Sequence, residues 1–342
     1  MADIKTEKIV VDGGGHYLGM EKGFLVVKDR ERKVLEKYAL FDEDIGEVIL
    51  KSGNFVSVGA LASLAFWGID VMVLTHRGWP VAVLRDVDDD SHITTRIGQY
   101  EALKNGKGVE IAKQIVLAKI EGQNEVLKKY GLKLHNLKFV KERINEVDSE
   151  NLESVRRRLL GVEGRFTRIY YDKIFQLLPI NPRLRKTYKA YDGINNIFNF
   201  VYTILKWKVY QSALKAKLEP YLGFLHSEQF GKPSLVCDLM ELYRYLVDDF
   251  LIQYCKKLRK KDFVVKKESF SKKRKGKREY LNDKMNDELM KEFYAYLEGK
   301  VEVPRIRHGS RQTLETLINE EALLLAKYLR NETKAWTPRI TV

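Results

Sequence analysis

The chain has 342 residues, 44% hydrophobic and 32% charged, with 61 Lys and Arg against 47 Asp and Glu for a formal net charge of +14. That length exceeds one ordinary hydrophobic core and predicts two domains. No apolar run reaches bilayer length, and the opening MADIKTEKIVVDGG lacks a charged-then-apolar leader pattern, so a membrane protein is not expected and a cytoplasmic one is. Only Cys237 and Cys255 occur, both in predicted helices, which excludes a disulfide framework and a cysteine zinc site. The Lys and Glu richness leans towards a heat-adapted source.

The first 85 residues carry short β-branched runs separated by Gly, Asp and Asn: FLVVK (24–28), EVILK (47–51), DVMVLT (70–75) and PVAVL (80–84). These predict strands. Between the second and third, VSVGALASLAFWG predicts one short buried helix stopped by Gly68. The acidic cluster DVDDD (86–90) then breaks the pattern and reads as a linker.

Beyond residue 92 the periodicity is helical. Ile111, Ile115, Ala118, Gln123 and Leu127 fall in one long segment, and Leu152, Val155, Leu159 and Leu160 in another. Further helices are predicted over 163–177, 192–217, 234–260, 283–298 and 311–330, with prolines at 179, 182, 220, 233 and 304 between them. No strand signal of comparable strength returns. The expected architecture is α+β: a small β-rich N-terminal domain (1–85), a linker (86–92) and a larger all-α C-terminal domain (93–342).

The charge excess is local. Residues 256–278, KKLRKKDFVVKKESFSKKRKGKR, hold thirteen Lys or Arg against Asp262 and Glu268, a net +11 in 23 residues. A solvated basic face is one reading; a phosphate backbone is the favoured partner, because neutralised phosphates release condensed counterions. The run lacks the regular apolar face of an interfacial helix.

Two segments carry candidate chemistry. In GFLHSEQFGKPSLVCDLMELYR (223–244), His226 precedes Asp238 and Glu241, which lie three residues apart and, on one continuous helix, share a face. Nitrogen and oxygen donors arranged this way suit a divalent metal, although each residue alone reads as a bonded histidine or an ordinary helix surface. In RRRLLGVEGRFTRIYYDKIFQLLP (156–179), Glu163 sits between two glycines among five arginines; alone, it reads as a partner of Arg165 or a helix cap. Tyr170, Tyr171, Tyr202 and Trp207 read as core aromatics first and base-stacking platforms second.

LLGVEG with Tyr170, the asparagine-rich NNIFNFVYTIL, then GFLH, GKPSL and DLMELYR in that order, together with SGNFVSVGALASLAFWGIDVMVLTHRGWPVAVL near the start, resemble the CRISPR-associated integrase family, the adaptation protein called CRISPR-associated protein one. The resemblance covers nearly the whole chain. It implies a β-rich domain mediating a homodimer and a helical domain that holds Mg²⁺ or Mn²⁺ and inserts short DNA fragments into a CRISPR array, a DNA 3′-hydroxyl attacking a repeat-end phosphodiester. Carried over, the catalytic positions are Glu163, His226, Glu241 and Asp238, and the implied metal ligands are Glu163, His226 and either Glu241 or Asp238, the choice between those two acids staying open. Lys232 of the GKP element, Arg165, Lys256, Lys257, Lys260, Lys272, Lys273 and Arg274 are the DNA-binding candidates. Thr167 stands where alanine is usual. Implied partners are double-stranded and branched DNA and the protein called CRISPR-associated protein two. A stand-alone structure-selective nuclease or related transposase is the second reading, and a non-catalytic DNA-binding scaffold the third.

Overall fold

The computed structural model describes residues 7–40, 45–76, 80–85, 93–133, 136–147, 151–187, 190–271, 274–302 and 311–338. The chain divides into two compact units, Met1–Ser91 and His92–Val342. The expected linker, 86–92, lies outside the described residues.

In the first unit the strands are β1 (Glu7–Val11), β2 (Tyr17–Glu21), β3 (Phe24–Lys28), β4 (Val34–Tyr38), β5 (Ile45–Lys51), β6 (Phe55–Val56), β7 (Asp70–Leu74) and β8 (Pro80–Leu84), with helix α1 (Val58–Phe66) between β6 and β7. They form two four-stranded sheets, β1-β5-β7-β8 and β4-β3-β2-β6. Ile9, Val11, Leu18, Leu25, Val27, Val48, Leu50, Leu64 and Val71 interlock in one core. The Ser57 side chain caps α1 by accepting the Ala60 N–H at 3.1 Å. Gly68 stops it at φ +66°, the left-handed conformation that glycine adopts without a Cβ penalty. All four predicted strands and the glycine-stopped helix are present, although the helix, expected to be buried, buries only Ala60 and Leu64 because only one face of it meets the core. β4 gave no signal because four of its five residues face solvent and no apolar alternation marks it.

The second unit is mostly helical: α2 (Ile93–Ala102), α3 (Gly106–Lys129), α4 (Leu137–Asn145), α5 (Leu152–Phe175), α6 (Gly193–Lys215), α7 (Ser234–Met240), α8 (Arg244–Lys256), α9 (Asp283–Leu297) and α10 (Leu314–Leu329). Side chains cap the N-termini of α3 (Asn105), α5 (Asn151), α6 (Asp192), α9 (Asn282) and α10 (Thr313), each accepting a first-turn N–H. Helix α3 packs against α5 and α8, and α6 against α7, α8 and α10. The approach of α8 to α3 is close at Gly122, where an added Cβ would lie 2.2 Å from the buried Tyr245 ring.

Three expectations are revised. The helical domain is not wholly α: β9 (Phe263–Ser271) and β10 (Arg274–Leu281) form an antiparallel ribbon, and β11 (Lys300–Glu302) pairs with β12 (Arg311–Thr313). Lysines flanking FVV and REYL hid the ribbon, since charge dilutes a strand pattern. The helix predicted over 234–260 breaks at 241–243 into α7 and α8. No Gly or Pro marks the break. In contrast, LLGVEG does not interrupt α5, so Glu163 lies mid-helix rather than at a cap. No helix among the described residues is long and apolar enough to cross a membrane.

Candidate active site

Glu163 on α5 and Glu241 at the end of α7 converge on one cation, the ammonium of Lys119 on α3. Lys119 donates to Glu163 Oε1, and its Nζ stands 2.6 Å from Glu241 Oε2. Lys119 is 4% exposed and Glu241 5%. The break after α7 makes this meeting possible: Glu241 caps α7 and turns to α3, while Arg244 opens α8 and places its guanidinium 3.1 Å from Glu241 Oε1. Glu163 Oε1 also accepts the Thr167 hydroxyl at 2.8 Å, and Thr167 in turn accepts from Gln123 at 3.3 Å.

These contacts set the charges. Burial alone would raise Glu241, but Arg244, then Lys119 and His226, outweigh it and bring its pKa down to about 2. Burial would lower Lys119; Glu241 and then Glu163 hold it above its ordinary value. Glu241 and Lys119 are therefore both charged at neutral pH.

Asp238 does different work from Glu241, although only three residues separate them. It is fully buried, and its Oδ2 accepts the backbone N–H of Phe224 at 2.6 Å and of Leu225 at 2.9 Å. Its Oδ1 accepts the His226 N–H at 2.9 Å and lies 2.7 Å from His226 Nδ1. Both oxygens are engaged with the GFLH loop, and the ring is left with Nε2 as its remaining nitrogen. Arg156 fixes the same loop from α5, donating to the Gly223 and Phe224 carbonyls at 2.6 and 2.9 Å. Gly223 is required there: a Cβ would lie 2.7 Å from the His226 carbonyl oxygen and 2.9 Å from Asp238 Oδ2. Among the described residues, no three His, Cys, Asp or Glu side chains lie close enough together to share a metal ion. The donor chemistry nonetheless fits a divalent cation in part, since two carboxylates already bracket a single positive charge.

Behind the site, Asp248 is fully buried and accepts from the Tyr170 and Tyr202 hydroxyls, while the Tyr171 and Tyr202 hydroxyls lie 2.7 Å apart. Tyr170, Tyr171 and Tyr202 are thus core residues, not base platforms. Arg244 lies 4.8 Å over the Tyr202 ring. Asn195 and Asn199 accept from the Arg185 guanidinium, and Asn196 donates to the Glu279 carbonyl at the base of the β9–β10 ribbon.

The basic candidates are dispersed. Lys232 closes a tight turn with Gln229, and Arg165 lies exposed on α5, two residues from Glu163. Lys256 sits 4.5 Å over the Tyr130 ring, Lys257 pairs with Glu292 at 3.0 Å, and Lys260 lies exposed in a short 3-10 turn. Lys272 and Lys273 lie outside the described residues; Arg274 begins β10. On the ribbon, Lys266 faces Arg278 and Lys267 faces Lys277 directly across the ladder.

Lys119, Arg244 and Arg156 carry the geometry and were not anticipated. A signal for Lys119 existed: Gln123, one turn on, occupies the apolar stripe of α3, and a polar residue there implies a buried partner.

The sequence profile described as CRISPR associated protein Cas1 matches residues 9–286. A relative named CRISPR-associated endonuclease Cas1 2, from Pyrobaculum aerophilum, is 32% identical over 253 residues, covering 73% of this chain and 83% of its own length. Among solved structures, a casposase bound to integration product superposes with a TM-score of 0.73 at 21% identity, covering 98% of this chain and 95% of that one. A Cas6-RT-Cas1–Cas2 complex gives a TM-score of 0.70 at 19% identity, covering 98% of this chain and 36% of its own. The two-sheet N-terminal unit, the helical unit and the order of the Glu163 and His226 segments thus belong together: this chain is a member of the CRISPR-associated protein Cas1 family.

Proposed function

We propose that the chain is a divalent-metal-dependent DNA endonuclease and integrase of CRISPR adaptation. The observation that carries this reading is the convergence of Glu163 and Glu241, from separate elements, on one buried cation. Glu163 and Glu241 would hold Mg²⁺ or Mn²⁺, with His226 moving towards them to complete the set, and the ion would supply Lewis-acid polarisation of a phosphoryl oxygen when bound. Asp238 keeps His226 oriented by engaging Nδ1, the arrangement that commits a ligating imidazole to Nε2. Arg244 anchors Glu241 from the far side and prevents its carboxylate from swinging away.

DNA is held by residues whose charge faces outward. Arg165 on α5 and Lys232 in the turn before α7 position phosphates without reading sequence. Gly161 and Gly164 beside Glu163 have open space where a Cβ would stand, so the α5 surface is bare and a DNA backbone can approach closely. The reaction is in-line displacement at a phosphodiester: a DNA 3′-oxygen forms the new P–O bond and the repeat strand's 3′-oxygen leaves, whereas attack by water yields a nick.

The partners follow the same reading. In the N-terminal unit, Val58 and Phe66 at the two ends of α1 are 80% and 82% exposed and Phe55 is 66% exposed, an apolar surface suited to a second copy of this chain. A complex with CRISPR-associated protein two is supported by the fold shared with a solved Cas1–Cas2 assembly. The test uses branched DNA with Mn²⁺ or Mg²⁺ and the Glu163→Ala variant. Both strand transfer and nicking are expected to disappear. Persistence of both at the wild-type rate overturns the reading, and 3′-blocked fragments, which stop integration alone, separate it from a stand-alone nuclease.

A further inference from the structure

Of the cations that touch the two glutamates, Lys119 and Arg244 differ in kind. The Arg244 guanidinium lies over the Tyr202 ring and stays fixed by that face. The Lys119 ammonium rides on a flexible four-carbon stem and, among the described residues, forms its ion pairs with these two carboxylates. Each glutamate, moreover, keeps a second partner independent of the lysine: Thr167 for Glu163 at 2.8 Å, and Arg244 for Glu241 at 3.1 Å. The cradle therefore persists if its central charge is exchanged.

We propose that Lys119 is a tethered placeholder cation, which neutralises Glu163 and Glu241 in the metal-free protein and which a divalent ion must displace to bind between them. This rests on the reading of Glu163 and Glu241 as metal ligands. Two ordinary ammonium–carboxylate contacts to one nitrogen leave the bracketing oxygens no more than about 5.6 Å apart. Unscreened carboxylates at that distance, both nearly buried, repel strongly and would open the packing of α3 against α5. A lysine in the gap keeps the empty centre folded. It also sets the affinity of the centre, because every incoming ion competes with a charge held at high local concentration by its own helix. The lysine is a positioning residue in this account, acting through the ligands it brackets.

Isothermal titration of metal-free protein with Mn²⁺ at fixed pH, joined to thermal unfolding in EDTA and in saturating Mn²⁺, tests this on the full chain. Lys119→Met should bind Mn²⁺ about ten-fold tighter than wild type or more. It should also melt lower than wild type in EDTA and recover the deficit when Mn²⁺ is added. A structural lysine would show the first loss without the recovery. Equal or weaker Mn²⁺ binding by Lys119→Met, with wild type binding and Glu163→Gln not binding, overturns the placeholder alone. If wild type and Glu163→Gln bind alike, the ligand assignment itself falls. Should the methionine variant not fold, Lys119→Gln carries the same comparison with the same expected direction.

Discussion

Asp238 holds His226 twice through a single oxygen, accepting its backbone N–H at 2.9 Å and lying 2.7 Å from its ring Nδ1. Backbone and side chain of the histidine are thus fixed by one group. Asp238→Asn should misplace the ring, because an amide cannot offer acceptors to three backbone N–H groups and the imidazole together. The expected loss is about 10- to 100-fold in strand transfer, with about 1–3 kcal/mol of stability. His226→Ala should abolish activity while leaving the melting temperature close to wild type, since the three backbone bonds to Asp238 remain. Equal destabilisation by the two variants, in chemical denaturation, counts against this division of labour.

Burial pushes the Asp248 carboxyl up from its ordinary 3.8 to about 6, against the Tyr202 and Tyr170 donors and nearby Arg244 and Arg185. The folded protein then keeps a proton that the unfolded chain releases between pH ~4 and ~6. Stability from this group is complete below that window and declines as pH rises through it. Asp248→Asn does not ionise, so its stability relative to wild type should rise across the window by up to about 3 kcal/mol. Urea unfolding of both proteins at pH 4 and pH 7 measures the change, and a constant difference between them contradicts it.

On the ribbon, DNA binding and stability are expected to pull in opposite directions. Lys266 opposite Arg278 and Lys267 opposite Lys277 are like-charged rungs, each costing about 0.2–1 kcal/mol unless an anion lies between. Replacing the four by glutamine should leave the protein slightly more stable. It should also reduce the slope of log affinity for duplex DNA against log salt by up to about 3.6. An unchanged slope in a fluorescence-anisotropy titration removes the ribbon from the DNA path.

A similar opposition is expected at Gly161. Nothing stands within 4 Å of the Cβ that alanine would add, so Gly161→Ala should stabilise α5 by about 0.5–1 kcal/mol. If DNA lies against this bare surface, the same methyl weakens DNA binding. Gly122→Ala should behave differently, destabilising by about 1–3 kcal/mol because its methyl meets the packed Tyr245 ring. Paired denaturation curves and binding isotherms distinguish the two glycines.

The N-terminal strands and α1 were legible because apolar runs and a terminal glycine report directly on local conformation. The Glu163, His226 and Glu241 segments were legible as motifs. What each acid does was not. Asp238 and Glu241 share a spacing that suggests one face, yet a turn without Gly or Pro sends one to the GFLH loop and the other to α3. Lys119 escaped notice because a lone lysine in a long helix ordinarily faces water. Its burial arises from α3 being enclosed by α5 and α8, a tertiary fact with only Gln123 to hint at it.

Lys119, Glu163 and Glu241 come from three elements, the last of them 122 residues after the first, and Lys119 has both of its carboxylate partners only when all three elements have docked. A chain leaving the ribosome therefore has no centre until its segment around residue 241 has emerged and packed. On the reading of Glu163 and Glu241 as the metal-holding pair, copies that end before residue 241 would carry no such centre.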